Sequence, residues 1–369
     1  RPAISIRNTG SWTFGSPSVL MMFHRRSGTL DAELTAMNEC MPHYYRITQG
    51  HGQGAELLMN AEAAFMQGNF SDAQILQTYS TIASNGQHNI SLCCDFLAAR
   101  LSLFQEGVTF VKNPEVKRKE FLSLHNMMWL NIFDSTYAYY YALIRMPEKI
   151  PALFKDHMLS TVSFLSPCRP MMEMIENQVF LSQKMYAKVI GRSETLLPFC
   201  EKMHYELVSL HVQIQTAAAY AMLGKHHDAR QLLQKALGHA MPDGFLIPFV
   251  ENYNYIKDVL GSINSITPEP FTDRILSLGS VYEQHCLRLS SRNYRPEILN
   301  MLNSREAEIA ALITDRLSNR EIAERLFLSE GTVKQYVNQI YSKLMINGDT
   351  RTKRKQLAEL ISSINKSLT

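Results

Sequence analysis

Apolar residues recur three and four positions apart over most of the chain, and strict alternation of apolar and polar residues is rare. The first spacing places apolar side chains on one face of an α-helix, whereas alternation is typical of a β-strand. Residues 31–289 follow the helical spacing, while residues 1–30 are rich in Ser, Gly, Thr and Pro and predict an irregular lead-in. We therefore expect an all-α fold.

A short pattern recurs inside this helical region: small residues, then a glycine, then the start of a second helix. It centres on Gly68, Gly191 and Gly224, with weaker turn positions at Gly107 and Pro147. A spacing of roughly 40 residues is typical of stacked helical hairpins, which bury their apolar faces only against one another. The pattern resembles tetratricopeptide repeats, so residues 31–289 are predicted to form a helical-hairpin solenoid that acts as a sensor or interaction arm.

The last part of the chain has a different organisation. Residues 290–296 are polar, contain a proline and predict a linker, and residues 297–369 read as a compact unit of four helices. Its first three helices have predicted N-caps at Ser304, Ser318 and Ser329. Only three residues separate the second and third of these helices, so they must meet at a sharp angle. This arrangement is a helix-turn-helix.

The third helix of this unit carries two kinds of residue. Its predicted buried stripe consists of Val333, Val337, Ile340 and Leu344, whereas Lys334, Gln335 and Asn338 lie on the opposite face and Thr332 lies in the first turn. The second helix of a helix-turn-helix enters the DNA major groove. Gln and Asn side chains can bond two atoms of a base edge, and Lys can reach guanine or phosphate. On the residues alone, a merely solvated polar face is an equal alternative.

Residues 302–344 add a resemblance to these patterns. The segments REAE, LSNREIAERL and LSEGTVK resemble, nearly residue by residue, the LuxR/GerE-type helix-turn-helix of bacterial transcription regulators. The resemblance implies binding to double-stranded DNA in the major groove, with RNA polymerase as a further partner. It also implies a set of DNA-binding residues: Arg320, Ser329, Thr332, Lys334, Gln335, Asn338 and Lys343.

The fourth helix of this family forms a homodimer on DNA. Here an apolar stripe suited to that role consists of Leu357, Leu360, Ile361 and Ile364. The same stripe could instead pack on the solenoid. The chain departs from the family after Leu344, because Met345 stands where a glycine is usual and the following stretch is longer and more basic.

The helical arm is similar in organisation to the sensor arm of the large ATP-dependent LuxR-type regulators, the group that includes the maltose-regulon activator. Those proteins carry an NTPase, then an arm that binds an inducer, then the DNA-binding module. No GxxxxGK[ST] phosphate loop occurs in this chain, so the resemblance implies that the NTPase portion lies outside it. A small-molecule inducer or a protein partner is expected at the arm. Tyr137 and Tyr141 form a candidate ligand groove, although packing between repeats is the favoured alternative.

Charge and composition sharpen this picture. The formal net charge is +3, and all of the excess lies in residues 301–369, since the preceding residues contain equal numbers of acidic and basic side chains. This asymmetry points to an anionic partner for the C-terminal unit. The six cysteines lack the spacing of a disulfide framework, and no apolar run approaches the ~20 residues of a membrane span. A cytoplasmic protein without a membrane partner is expected.

Sets of residues that would support catalysis or bind a metal do not stand out, so no enzyme activity, metal or cofactor is expected. The sequence therefore predicts a bacterial transcription regulator that binds operator DNA through its C-terminal helix-turn-helix under the control of the arm. The alternative is a helical-repeat interaction scaffold whose C-terminal module serves dimerisation or docking. A steep loss of affinity with salt would distinguish the DNA binder from the scaffold.

Overall fold

The computed structural model describes residues 15–48, 50, 52–70, 88–104, 114–123, 126–162, 164–293, 302–315, 317–344, 346, 348 and 352–358. Within these residues the chain forms helices and turns, and no β-strand occurs. The chain divides into two compact units, Arg1–Leu287 and Arg288–Thr369. The all-α prediction is confirmed. Among the described helices, none has the length and apolar character needed to cross a membrane.

The described helices that begin in the first unit are α1 Val19–Phe23, α2 Leu30–Thr48, α3 Ala55–Met66, α4 His88–Leu101, α5 Pro114–Ser123, α6 Met127–Leu143, α7 Ala152–Lys155, α8 Arg169–Ser182, α9 Tyr186–Met203, α10 Glu206–Met222, α11 His226–Ala240, α12 Ile247–Glu251, α13 Tyr253–Ile266 and α14 Pro270–Asn293. Helix α14 continues past Leu287, the last residue of that unit. Helices α8 to α11 pack as neighbouring pairs, and α10 also packs against α13. Every residue from 207 to 219 of α10 is buried, so this helix lies at the centre of the unit.

The turns between these helices follow the predicted pattern only in part. Gly68 and Gly224 adopt positive φ angles of 75° and 74° and end their helices as expected. Gly191 was predicted to be a turn residue, but it lies inside α9. The preceding turn instead uses Lys184, which has a φ of 61°. Gly107 lies outside the described residues.

Contacts across long sequence separations tie the first helices to the last ones. The Leu246 amide donates to the Met66 carbonyl at 2.8 Å, and the Ser27 hydroxyl donates to the His239 carbonyl at 2.7 Å. In an open solenoid each repeat contacts only its neighbours. Because this unit contains contacts between distant hairpins, the tetratricopeptide-like part of the prediction is not confirmed.

The predicted lead-in is partly built into this unit. Residues 15–24 are almost entirely buried, and the expectation of an irregular segment is wrong for Val19–Phe23, which form the short helix α1. The buried Glu62 carboxylate accepts the Leu20 amide at 2.6 Å. The Asp243 carboxylate accepts the amides of Gly28 at 2.6 Å and Leu30 at 3.0 Å. The position of this segment is therefore determined by burial of its apolar side chains and by bonds to carboxylates far away in the sequence, and not by a local helical period.

A charged group also lies at the centre of the first unit. The Arg100 guanidinium donates to the Glu251 carboxylate at 2.7 Å, and the Tyr139 hydroxyl donates to the same carboxylate at 2.8 Å. Arg100 and Glu251 are 3% and 1% exposed. The guanidinium also lies over the rings of Phe65 and Phe96, with 5.0 and 5.3 Å to their centroids. Burial without such partners would be very unfavourable for either charge.

The second unit contains α15 Ser304–Thr314, α16 Asn319–Leu326, α17 Glu330–Lys343 and α18, residues 352–358. These helices enclose their own apolar core, which includes Ile309, Ile313, Ile322, Val333, Val337, Ile340 and Leu357. The predicted linker, residues 290–296, is wrong in its first half because α14 continues to Asn293. A polar helix end was therefore taken for a linker.

Candidate nucleic-acid interface

Helix caps determine where the three helices of the candidate interface begin. Ser318 forms a capping box with Glu321, and the Ser329 hydroxyl accepts the Thr332 amide at 3.0 Å, as predicted. The first cap differs from the prediction. Asn303, not Ser304, is the N-cap of α15, and its capping box with Glu306 moves the helix start by one residue.

The turn between α16 and α17 is short and well anchored. Phe327 ends α16 in the left-handed conformation, with a φ of 56°, and its backbone reverses the chain direction. The Arg305 guanidinium donates to the Leu326 carbonyl at 2.8 Å. The Leu328 amide donates to the Ala323 carbonyl at 2.9 Å. These bonds hold α17 at a defined angle to α16.

Helix α17 has one buried face and one exposed face. Val333, Val337 and Ile340 are buried as predicted, and Leu344 is half-buried against the same core. Tyr341, which the sequence analysis did not assign to the core, is 5% exposed and joins it. Its position four residues after Val337 places it on the buried face, so the helical spacing contained this signal.

The exposed face carries three of the predicted DNA-binding residues. Lys334, Gln335 and Asn338 are all exposed on α17. Within the described part of the chain, the side chains of these three residues make no hydrogen bond and no ion pair. Their donors and acceptors are therefore directed to solvent or to a partner, and they lie on the helix that a helix-turn-helix inserts into the major groove.

The first turn of α17 is less open than its sequence suggested. The Ser329 and Thr332 hydroxyls bond each other at 2.8 Å, and Thr332 is half-buried. Glu330 adds a negative charge that stabilises the helix start but opposes a phosphate. A phosphate would therefore meet the backbone amides of this turn rather than free hydroxyl groups.

Several basic side chains near α17 serve the domain itself. Lys343, predicted to approach a phosphate, pairs with the 1% exposed Glu306 carboxylate at 2.7 Å. Burial raises the pKa of Glu306, but the bonds from Lys343 and the Asn303 amide outweigh it and lower that pKa below its ordinary value. Arg354 donates to Asn319 at 2.9 Å. These cations are thus already paired within the domain.

Arg320 differs from these paired cations. It forms an ion pair with Glu324 at 3.2 Å, but both side chains are largely exposed, at 80% and 67%. Exposed pairs of this kind contribute at most about 1 kcal/mol. Arg320 can therefore exchange Glu324 for a phosphate at little cost, and it remains a candidate for a backbone contact.

The predicted dimer stripe is described only at its first residue. Leu357 is fully buried in the core of the second unit. This placement contradicts the expectation of an open apolar face at Leu357, because the side chain closes the domain's own core. Leu360, Ile361 and Ile364 lie outside the described residues.

The candidate ligand groove in the arm lies on α6. Tyr137 is 4% exposed, and its ring centroid lies 4.8 Å from that of Phe133 and 6.0 Å from that of Tyr141. Tyr141 is half-buried. This row of packed rings favours the alternative in which the tyrosines stabilise the helix packing. A groove at Tyr137 and Tyr141 stays a prediction.

The roles of two residues of the interface were not predicted from the sequence. Arg305 was noted only as part of a motif, and no local spacing predicts its bond to a carbonyl 21 positions away. Phe327 was treated as part of a tight turn. Its only signal was an apolar residue where the chain needs a sharp reversal.

Comparisons with known proteins agree with this geometry. The family described as bacterial regulatory proteins, luxR family (GerE), matches residues 300–354. The transcriptional regulatory protein LnrK of Bacillus subtilis is 44% identical over 57 residues, which are 15% of this chain and 26% of that protein. DegU of Brevibacillus brevis is 45% identical over 53 residues, 14% of this chain and 22% of that protein.

A third relative, the transcriptional regulatory protein DesR of Bacillus subtilis, is 36% identical over 75 residues, 17% of this chain and 38% of that protein. The chain thus spans well under half of the length of each of these relatives. No solved structure matches the chain. The C-terminal unit of this protein carries a helix-turn-helix domain of the LuxR family of bacterial regulatory proteins.

Proposed function

We propose that this protein is a transcription regulator that binds operator DNA in a sequence-specific manner through α17. The helix enters the major groove, Gln335 and Asn338 bond to base edges, and Lys334 contacts guanine or phosphate. Backbone amides at the start of α17 and the Arg320 side chain approach the phosphates. The names of the matched relatives, all transcriptional regulatory proteins, support the class of function.

One observation carries the proposal. Lys334, Gln335 and Asn338 lie together on an exposed helix face, whereas the nearby cations Lys343 and Arg354 are paired inside the domain. A polar helix face that only contacts water does not require a rigid turn before its helix. Here Arg305 and the buried stripe of α17 hold the face in one orientation, as specific recognition requires.

The first unit controls this binding in our proposal, through an inducer or a protein partner. Two copies bind as a homodimer, so the operator consists of two related half-sites about one helical turn of DNA apart. RNA polymerase is the partner through which bound regulator acts. The uneven charge supports an anionic partner for the second unit alone, since the excess of +3 lies within residues 301–369 of that unit.

Selection of duplexes from a random pool by the full chain tests the proposal. We expect an enriched motif with two-fold symmetry, and an affinity for it that falls steeply as the salt concentration rises. Gln335→Ala should relax the preference at one base pair of each half-site by about 1–3 kcal/mol. Gln356→Ala, which changes an exposed glutamine of α18, is the matched control and should leave the motif unchanged.

Absence of any enriched motif would refute the proposal and favour the interaction scaffold. An enriched motif without symmetry would retain DNA binding but remove the homodimer. A motif that Gln335→Ala does not alter would exclude Gln335 from the residues that read bases.

A further inference from the structure

Phe327 is the most conspicuous apolar residue on the described surface of the second unit. It is 95% exposed, a larger fraction than for any other exposed large hydrophobic residue in the described part of the chain. Exposing a whole phenyl ring to water is unfavourable by an amount that scales with its apolar area. The ring lies in the turn between α16 and α17, directly before the recognition helix.

The backbone at this position is also unfavourable for phenylalanine. Its φ of 56° lies in the left-handed region, which glycine adopts readily and bulky side chains rarely adopt. Four other described non-glycine residues have positive φ, and all are polar or charged: Arg145, His157, Lys184 and His204. Phe327 thus breaks a backbone preference and a solvation preference at once, and such conflicts concentrate at functional sites.

The turn that presents Phe327 is rigid. On one side the Arg305 guanidinium bonds the Leu326 carbonyl, and on the other the Leu328 side chain packs against the core. The Leu328 amide is bonded to Ala323 as well. The phenyl ring is therefore held away from the domain core and has little freedom to fold back onto it. The backbone of the turn therefore needs no reordering when the ring meets a partner.

The position of the turn identifies the partner. Phe327 lies two residues before Ser329, the N-cap of α17, and so at the end of the helix that contacts base edges in a helix-turn-helix. Apolar groups exposed to a side chain there are the thymine C5-methyl and the deoxyribose. We propose that Phe327 is a DNA-contacting residue that packs on one of these groups at the edge of the major groove. This inference rests on the proposed function of the domain.

Replacement of Phe327 separates binding from folding, because the two should change in opposite directions. Phe327→Gly removes the strain of a bulky residue at positive φ and removes the exposed ring. The second unit of this variant should therefore unfold at the same temperature as the wild type or at a higher one. Its affinity for the selected operator should nevertheless fall about three- to tenfold, as expected for a lost apolar contact. Phe327→Leu, which keeps an apolar side chain, should retain most of the affinity.

Two controls complete the experiment. Phe199→Ala removes a 42% exposed phenyl ring from the first unit and should leave operator binding unchanged. Asparagine, like glycine, is tolerated at positive φ, so Phe327→Asn should show the same loss of affinity as Phe327→Gly. It replaces the glycine variant in the experiment if that variant proves unstable.

Operators in which deoxyuridine replaces thymidine at single positions distinguish the two DNA groups. If Phe327 contacts a thymine methyl, the wild-type protein should bind one of these substituted operators more weakly. If it contacts a deoxyribose, the wild-type affinity should be the same for all of them.

The outcomes also separate this inference from the proposed function. If the wild-type chain selects no operator, the proposed function fails and Phe327 has no DNA to contact. If the wild type binds and both folded variants, Phe327→Gly and Phe327→Asn, bind equally well, the inference about Phe327 is wrong while DNA recognition stands.

Discussion

The two units of this protein treat their charged residues in opposite ways. The first unit encloses Arg100, Glu251 and Glu62 at its centre, each at 3% exposure or less. The second unit buries only Glu306 among its described charged residues, and Lys334 points away from the core. The buried pair of the first unit depends on partners that the whole chain brings together, whereas the exposed Lys334 depends on nothing beyond its own helix. The first unit therefore depends on one arrangement of its whole chain, whereas the exposed face of α17 needs only its own helix to be in place.

The largest expected effect tests the buried pair. Arg100→Met keeps most of the apolar stem but leaves the Glu251 carboxylate without its cation, so the free energy of unfolding of the first unit should fall by about 3–5 kcal/mol. Both tryptophans, Trp12 and Trp129, belong to the first unit, so their fluorescence during urea unfolding follows it selectively.

The matched control for this variant is Arg169→Ala. Arg169 pairs with Glu173 at 2.9 Å, but its side chain is 54% exposed, and its removal should cost less than about 1 kcal/mol. Adding Glu251→Gln to Arg100→Met should restore part of the lost stability. Equal losses for Arg100→Met and Arg169→Ala would remove the distinction between buried and exposed charges.

A pH dependence sharpens the same contrast. Burial raises the pKa of Glu62 to about 7, against the opposing effects of the Leu20 amide and the Arg100 charge. The folded state therefore binds this proton more tightly than the unfolded state does. The stability that results is fully present below pH 4.5 and is lost as the pH rises through about 7, by up to ~3 kcal/mol.

Urea unfolding of the first unit between pH 5 and pH 8 measures this effect. The wild type should become less stable over this range by more than Glu62→Gln does, because the amide does not titrate. Parallel pH profiles of the two proteins would show that Glu62 does not titrate in this range.

Close helix packing gives the next effect. A Cβ atom at Gly279 of α14 would lie only 2.2 Å from the Tyr253 ring, so Gly279→Ala must displace the ring or the helix. We expect a loss of about 1–3 kcal/mol in the unfolding free energy of the first unit. Gly261→Ala in α13 is the matched control, since nothing lies within 4 Å of its Cβ. It should stabilise the unit by about 0.5–1 kcal/mol, and a gain in both variants would contradict the packing argument.

The smallest effects separate two lysines of one helix. Lys334→Ala should weaken binding to all duplexes and reduce the slope of log affinity against log salt by about 1, without changing stability. Lys343→Ala should instead leave the slope unchanged and lower the stability of the second unit by about 1 kcal/mol, because Glu306 loses its partner. Binding at several salt concentrations and far-UV circular dichroism measure the two quantities. An equal change of slope in both variants would return Lys343 to the DNA contacts.

Features of the structure that depend on residues close together in the sequence were the ones that the sequence predicted correctly. Ser318 and Ser329 were predicted as caps because a cap bonds an amide only three residues away. The stripe of Val333, Val337 and Ile340 was equally readable from its helical spacing. These short-range rules predicted the starts of α15, α16 and α17 to within one residue. They fail at Leu357, whose apolar side chain indicates burial but not which surface buries it.

In the first unit the same rules predicted helices but not their arrangement. Gly191 fits the spacing of a turn, yet α9 continues through it because neighbouring helices support the whole length. Residues 15–24 lacked a clear period and were assigned as irregular, although the rest of the unit buries them. At both places, tertiary packing rather than local sequence propensity determines the structure.

The sequence by itself determined the all-α class, the caps of the helix-turn-helix and the polar face formed by Lys334, Gln335 and Asn338. Each of these depends on residues within about one helical turn, where backbone geometry sets the neighbours in advance. Only the tertiary structure decided that Arg100 meets Glu251 across 151 residues and that the half-exposed Lys343 pairs with the buried Glu306. The buried carboxylates of Glu251 and Glu306 need a cationic partner, and no spacing along the sequence encodes which distant residue supplies it.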